Sequence, residues 1–249
     1  MSIVIEDLHK SFGKKDVLTG FSAEARDGET LVILGGSGSG KSVTIKHIVG
    51  LLVPDRGRVL VDGQIVAELS QEELFALRRR VGYVFQFAAL FDSMTLAENV
   101  GLGLRRQRSS SDAEIHERVS ECLALVDMEG FEDRYPSEIS GGQRKRAGIA
   151  RAIATKPDYI LYDEPTTGLD PVTKAMIDNL ILRLSEELGV TGIVITHDMD
   201  SAFRVADRFA MLHEGRCRFY GTPDEIRTAD DPVVRGFIEG RPELMENAT

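Results

Sequence analysis

The segment Gly35-Gly-Ser-Gly-Ser-Gly40-Lys41-Ser42 fills every fixed position of the pattern G-x-x-x-x-G-K-[ST]. It follows Thr30-Leu-Val-Ile-Leu34, a continuous apolar run fit for a buried strand. It opens Lys41 to Gly50, where Ile45, Ile48 and Val49 fall on one helical face. Strand, glycine loop and helix in that order leave little choice of local fold. The glycines let successive backbone N–H groups turn inward, and the helix N-terminus adds a partial positive charge at the same place. Such a loop cradles phosphate oxygens: Lys41 brings a full charge to the β and γ phosphates, and the Ser42 hydroxyl is placed to ligand Mg²⁺. A glycine turn that merely joins strand to helix would not need Lys-Ser in register. A dinucleotide loop fails on spacing, because no G-x-G-x-x-G can be drawn through Gly35 to Val43.

Around this loop the pattern is that of an α/β chain. Ahead of it, apolar and polar residues alternate at Ile3 and Ile5 and again from Val17 to Ala25, about the turn Ser11-Phe12-Gly13, as in antiparallel strands joined by short turns. A hairpin-like stretch, Gly57 to Val66, precedes a helix rich in Leu and Arg, and a further strand candidate, Val81 to Phe85, ends at Gln86. From Phe87 to about Ala154 strand-like runs disappear. Ile115, Val119, Cys122, Leu123 and Val126 recur there at helical spacing, which predicts a helical subdomain. Within it, Arg105 to Asp112 is polar and serine-rich and reads as a solvated loop, with Asp112 able to cap the next helix. After Pro157 strands return at Tyr159 to Tyr162, Gly192 to Thr196, Phe209 to Leu212 and Arg216 to Tyr220, with a helix from about Val172 to Leu188. Strands alternating with helices predict a mostly parallel sheet covered on both faces. The tail from Pro232 offers one amphipathic turn (Val233, Val234, Phe237, Ile238) and then polar residues.

Composition narrows the partners. With 40 acidic against 30 basic residues the net charge is -10, the reverse of what a protein gripping nucleic-acid backbones carries, so no nucleic acid is expected as a main partner. A nucleotide site needs only a few local cations. Cys122 and Cys217 form no CxxC pair and read as two reduced thiols. The start, Met-Ser-Ile-Val-Ile-Glu-Asp, lacks the basic and apolar regions of a signal peptide. No apolar run approaches the roughly 20 residues that span a bilayer, so a membrane process would require another chain to cross it.

Two further segments carry chemistry. Tyr159-Ile-Leu-Tyr162-Asp163-Glu164 is an apolar strand ending in two carboxylates. Neighbouring side chains on a strand turn to opposite sides, so the pair can divide labour. Asp163 would support Mg²⁺ through water, and Glu164 would face the γ-phosphate and polarise the attacking water. The other segment is Ile139-Ser140-Gly141-Gly142-Gln143, followed by Arg144-Lys-Arg146 and a helical Ala-Gly-Ile-Ala-Arg-Ala. Ser140 can cap the helix that starts at the glycines, which leave bare backbone donors for a phosphate. Taken alone, this second segment is a capped helix start and nothing more.

Together these residues resemble the ABC (ATP-binding cassette) ATPases, whose signature LSGGQ stands here as ISGGQ. The resemblance runs over about residues 3 to 238. It implies an α/β P-loop NTPase of the ABC ATPase fold: a mixed sheet core with an N-terminal antiparallel β subdomain (1–86 and 155–230), an inserted α-helical subdomain (87–154) and a C-terminal tail (231–249). The implied cofactors are ATP and Mg²⁺. Phe12 in Ser-Phe-Gly is similar to the aromatic that stacks on adenine, where tyrosine is commoner. Gly35, Gly36, Ser37, Gly38, Ser39, Gly40, Lys41, Ser42 and Val43 correspond to the loop that holds the phosphates. Gln86 resembles the Q-loop glutamine, a Mg²⁺ or water contact that senses the γ-phosphate; the metal set is then Ser42, Gln86 and Asp163. Asp170 in Gly168-Leu169-Asp170 resembles the D-loop at a dimer seam. His197, ending a strand in Ile-Thr-His-Asp, resembles the switch histidine and joins Gln86 and Glu164 as catalytic. Ser140, Gly141, Gly142 and Gln143 of one copy are implied to close over the nucleotide held by a second copy of the chain.

Past Gln86 the run Phe87-Ala-Ala-Leu-Phe-Asp-Ser-Met-Thr-Leu-Ala-Glu-Asn-Val100, with the tail Asp231-Pro-Val-Val-Arg-Gly-Phe-Ile-Glu-Gly, looks like the ATPases of Mla and Mce-associated lipid transporters. Many of those carry methionine where this chain has Gln143. That likeness implies an integral membrane permease partner, MCE-type and small accessory subunits, and a peripheral place on the cytoplasmic face of the inner membrane. The other readings of the resemblance are a soluble ABC ATPase for cluster assembly or DNA repair, and an importer subunit for a small solute. No coiled-coil insertion or second cassette supports the soluble reading.

Overall fold

The computed structural model describes residues 2–107 and 111–246. In chain order its elements are β1 (Ile3–Phe12), β2 (Lys15–Ala25), β3 (Thr30–Leu34), α1 (Lys41–Ile48), β4 (Arg56–Val61), β5 (Gln64–Ile65), α2 (Gln71–Arg79) and β6 (Val81–Val84). They continue with α3 (Leu96–Gln107), α4 (Asp112–Leu125), α5 (Gly141–Ile153), β7 (Tyr159–Asp163), α6 (Pro171–Leu188) and β8 (Thr191–Thr196). The last are α7 (Met199–Val205), β9 (Arg208–His213), β10 (Arg216–Gly221), α8 (Pro223–Arg227), α9 (Pro232–Ile238) and α10 (Pro242–Glu246). By contact the chain divides into two compact units, Met1–Phe75 with Thr191–Thr249, and Ala76–Val190.

In the first unit the alternating N-terminal residues form an antiparallel sheet, ordered β2-β1-β4-β5. Ile3, Ile5 and Leu8 of β1 are buried, with a register shift between Ile5 and Leu8. Asp7, inside that shift, has φ 47°. The second sheet of this unit runs β10-β9-β3-β8. There β3 is parallel to both β8 and β9, while β10 is antiparallel to β9. It is therefore mixed but mostly parallel, as expected, with the antiparallel pair at its β10 edge. A tight turn at Gly215 (φ 77°) joins β9 directly to β10, and so short a link can only reverse the chain. Every residue of β3 and of β8 is buried, which is why both read as apolar runs without alternation. Leu34 pairs with Thr196, so both strands end at the same level.

In the second unit β6 and β7 are parallel, with Val84 opposite Tyr162. Strand β6 stops at Val84, one residue short of the sequence reading. Helix α5 lies against it so closely that a Cβ on Gly82 would come within 2.7 Å of the Ala152 carbonyl oxygen. Ile115, Val119, Cys122 and Leu123 are the buried stripe of α4, as their spacing predicts. Between Phe87 and Ala154 the described residues hold helices and no strand. Tyr159 and Tyr162 are among the largest fully buried side chains. Burying a side chain of that size is worth about 1.5–3 kcal/mol.

Three local readings are corrected. Arg105 to Gln107 belong to the last turn of α3 and not to a loop; Arg108, Ser109 and Ser110 lie outside the described residues. The cap of α4 is Ser111, whose side chain accepts from the Glu114 N–H while the Glu114 carboxylate accepts from the Ser111 N–H. Only Ser111 has a glutamate three residues on; from Asp112 that position is Ile115. The polar tail also continues into α10, packed on α9, where a Cβ at Gly236 would lie 2.8 Å from the Arg241 carbonyl. Among the described residues no helix is long and apolar enough to cross a membrane.

Candidate functional site

The glycine loop leaves β3 and turns into α1 with the backbone its sequence demands. Gly38 (φ 74°) and Gly40 (φ 111°) lie in the left-handed region that side chains disfavour. A Cβ on Gly35 would meet the Leu212 carbonyl oxygen at 2.5 Å, so no other residue fits there. Gly40 is the N-cap of α1 and supplies no side-chain cap, and the first turn has no acidic residue. The helix end therefore keeps its positive dipole unneutralised. Lys41 is buried and lies back along the loop, its Nζ donating to the carbonyls of Gly35 (2.8 Å) and Gly36 (3.0 Å). The Ser39 Oγ is enclosed and makes no hydrogen bond, a spare hydroxyl inside the loop that suits a phosphate oxygen.

Two other expected residues belong to the same unit. Because Leu34 and Thr196 are in register, Gly35 and His197 leave the sheet side by side at its C-terminal edge. His197 is exposed, and Asp198 after it caps α7 by accepting from the Ser201 N–H at 3.1 Å. Phe12 stands at the tip of the β1–β2 hairpin, half exposed, with the Lys10 ammonium 5.8 Å from its ring centre. The start of β2 presses on the phosphate loop: a Cβ on Gly40 would lie 3.0 Å from Val17 and from Leu18.

The second unit carries the acidic strand end. Since β6 and β7 are in register, Gln86 and Glu164 each stand two residues beyond the paired Val84 and Tyr162. Asp163 accepts a hydrogen bond from the Tyr83 hydroxyl at 3.2 Å. Burial, reinforced by the Asp163 charge, pushes the Tyr83 hydroxyl well above its usual pKa, so it stays a donor. Glu164 is buried with φ 51°, and its carboxylate accepts from the Thr167 hydroxyl at 2.9 Å. The turn after β7 thus re-aims the second carboxylate and fixes one of its oxygens.

On the same unit Ser140 caps α5 as expected. Its Oγ accepts from the Gln143 N–H (3.2 Å), and its own N–H donates to the Gln143 side chain (2.8 Å). Gly142 faces α6 so tightly that a Cβ would stand 2.5 Å from Thr173 Cγ2. Asp170 caps α6 through the N–H groups of Val172 and Thr173, both at 3.0 Å. The Thr173 hydroxyl, bonded to the Asp170 carboxylate, holds its pKa below the usual carboxylate range. The starts of α5 and α6 are therefore neighbours here: Ser140, Gly142 and Gln143 line a cavity of about 120 Å³ with Arg146, Thr173 and Met176. Val172 and Met176 stay exposed beside it.

One residue escaped the sequence reading. Lys145 is buried, and its Nζ donates to the backbone carbonyls of Gln86 and Glu164. Burial lowers its pKa, opposed by the charges of Glu164 and Asp163. The available signal was its phase: Lys145 shares a face with the buried Ile149 and Ala152, an unusual place for a lysine. Burial also pushes the Cys122 and Cys217 thiols up to about 11, so neither is a thiolate at neutral pH.

A glycine loop with its lysine, a strand-end carboxylate pair and a capped ISGGQ helix define an ATP-binding cassette, and comparison with known sequences agrees. The profile of the family described as "ABC transporter" matches residues 18–167, and the chain belongs to that family as an ATP-binding and ATP-hydrolysing subunit. It is 42% identical over 241 residues to the probable ribonucleotide transport ATP-binding protein mkl of Mycobacterium tuberculosis, covering 97% of this chain and 67% of that one. To the sulfate/thiosulfate import ATP-binding protein CysA of Caulobacter vibrioides it is 43% identical over 242 residues, covering 96% and 70%. To the chloroplastic protein trigalactosyldiacylglycerol 3 of Arabidopsis thaliana it is 40% identical over 255 residues, covering 96% and 73%. Among solved structures, the dimeric post-hydrolysis state of the cassette MJ0796 bound to ADP and Pi has a TM-score of 0.80 at 34% identity, covering 89% of this chain and 98% of that one.

Proposed function

We propose that the chain works as a pair of copies that bind two ATP molecules at shared sites and drive an integral membrane permease. The observation that carries this reading is the second glycine-rich helix start. Ser140 and Gly141 are exposed at the N-terminus of α5, beside the exposed Val172 and Met176. That surface, polar donors with an apolar rim, suits a nucleotide presented by a partner copy. The dimeric state named for the similar cassette of known structure supports it.

In this reading Gly35 to Val43 hold the phosphates, Phe12 stacks on the base, and Asp170 and the residues Ser140 to Gln143 serve the seam. Mg²⁺ fits the donor set, because the Ser42 hydroxyl, the Gln86 amide and the Asp163 carboxylate are all hard oxygen donors. Its chemistry would be charge neutralisation on the β and γ phosphates. Glu164 orients and deprotonates the attacking water, Gln86 senses the γ-phosphate, and His197 hydrogen-bonds it. In this reading the chain is one ATPase domain made of a core (1–86 with 155–230), a helical subdomain (87–154) and a tail (231–249).

The cargo in this reading is phospholipid or another hydrophobic molecule, with the subunit peripheral on the cytoplasmic face of a bacterial inner membrane and MCE-type and small accessory subunits in the assembly. The run from Phe87 to Val100 and the likeness to trigalactosyldiacylglycerol 3 support it. Exposed Phe87 and Phe91 suit an apolar permease contact. A second reading, import of a small polar solute, is favoured by the likeness to the sulfate/thiosulfate importer.

The experiment is Glu164→Gln with ATP, read by sedimentation and phosphate release. Hydrolysis is expected to fall by about a hundredfold or more, the scale of a lost general base, while an ATP-bound dimer accumulates. Hydrolysis at the parental rate would show that Glu164 is not the base; a strictly monomeric ATP-bound variant would remove the shared site.

A further inference from the structure

Helix α5 grips the segment after β6 with one face. Lys145, Gly148 and Arg151 stand three residues apart along it. Lys145, 6% exposed, donates to the Gln86 carbonyl and, at 3.1 Å, to the Glu164 carbonyl. One turn on, a Cβ at Gly148 would lie 3.2 Å from Ala88 Cβ and 3.3 Å from its Cα, so backbone rests on backbone there. Arg151 donates to the carbonyls of Ala88 and Ala89, both at 2.6 Å, and its guanidinium lies 5.9 Å from the Phe85 ring centre. The gripped residues are strained: φ is 59° at Ala88, 50° at Ala89 and 51° at Glu164. Residues with a Cβ keep such angles only where their surroundings hold them.

We infer that Lys145 is a positioning residue for ATP hydrolysis, its buried ammonium tying the backbone of Gln86 to that of Glu164 so that the two side chains keep one relative geometry. This assignment rests on the roles proposed above for Gln86 and Glu164. An ammonium carries three donors and no acceptor, which suits a site that presents two carbonyls. Methionine fills the same volume and donates nothing. The strained turns then lose a donor each, and the Glu164 carboxylate drifts with its backbone. A displacement of about 1 Å at a reacting group costs up to about a hundredfold in rate.

The test compares Lys145→Met, Lys145→Arg and Glu164→Gln in steady-state ATP hydrolysis, with amide hydrogen exchange on the same proteins. Lys145→Met is expected to lower kcat about tenfold or more with KM for ATP within about twofold, and to speed exchange selectively in segments 86–89 and 164–167. Lys145→Arg, which restores donors, recovers part of kcat. A parental kcat in Lys145→Met overturns the assignment, as does a fall in kcat with exchange raised evenly along α5, the mark of lost packing alone. Should Lys145→Met not fold, Lys145→Gln takes its place, since its shorter amide cannot span both carbonyls. A kcat lowered about threefold or more at constant KM sustains the assignment, and a parental kcat ends it. If Glu164→Gln itself hydrolyses ATP normally, the reading of the site fails whatever Lys145 does. If Glu164→Gln is inactive while Lys145→Met is parental, only the Lys145 assignment falls.

Discussion

Lys41 and Lys145 show how differently two buried lysines can be written in a sequence. Lys41 sits in a motif whose glycines announce it, and its Nζ lies on the carbonyls of its own loop. Charge-assisted hydrogen bonds of this kind are each worth about 1.5–3 kcal/mol, and about 1.4 kcal/mol is a factor of ten in affinity. Lys41→Ala is therefore expected to weaken ATP binding about tenfold or more, measured by calorimetric titration; unchanged affinity would take the loop out of the mechanism. Lys145 stands inside Arg144-Lys-Arg146, which passes for a solvated basic run until the neighbours of α5 are known. Glu164 lies between these cases: its presence at a strand end was readable, its left-handed backbone was not.

The helices and strands were readable to within a residue or two wherever one periodicity ran unbroken, as in β3, α1, α4 and β7. Errors fell at ends, where one side chain decides. Asp112 and Ser111 are both good caps, and the choice turned on Glu114 reaching back to the Ser111 N–H. At Gly82 the pattern of β6 gives no hint that α5 touches the strand backbone. Gly82→Ala would force a Cβ to within 2.7 Å of the Ala152 carbonyl oxygen, a main-chain atom that cannot swing aside. Overpacking of this kind costs about 1–3 kcal/mol, so a lower urea midpoint at unchanged m-value is expected. A parental midpoint would mean that α5 can shift away from β6 at no cost.

At the scale of the molecule, the parallel pairing of β3 with β8 brings the phosphate loop and His197 to one sheet edge, and that of β6 with β7 does the same for Gln86 and Glu164. Parallel strands deliver their C-terminal loops to a common edge whatever lies between them in sequence. Exposed apolar side chains at Phe87 and Phe91, and at Val172 and Met176, mark the surfaces expected to meet other chains. Purified from its own membranes, the chain is expected to bring down an integral membrane protein with bound phospholipid. Recovery with a cytosolic partner alone would defeat the transport reading. A permease without lipid, whose ATPase rises with sulfate or another small solute, would favour the importer.

The sequence alone determined the make-up of the short segments: a glycine loop with its lysine, a strand-end carboxylate pair and a capped glycine helix. In each, a few adjacent residues fix where backbone donors and side-chain oxygens point. Tertiary structure alone decided what those segments lean on. The Gly142 contact with Thr173, the left-handed turns at Ala88 and Ala89, and the burial of Lys145 arise between residues distant in the chain. No local period records such contacts, because they depend on which faces the folded backbone brings within reach of one another.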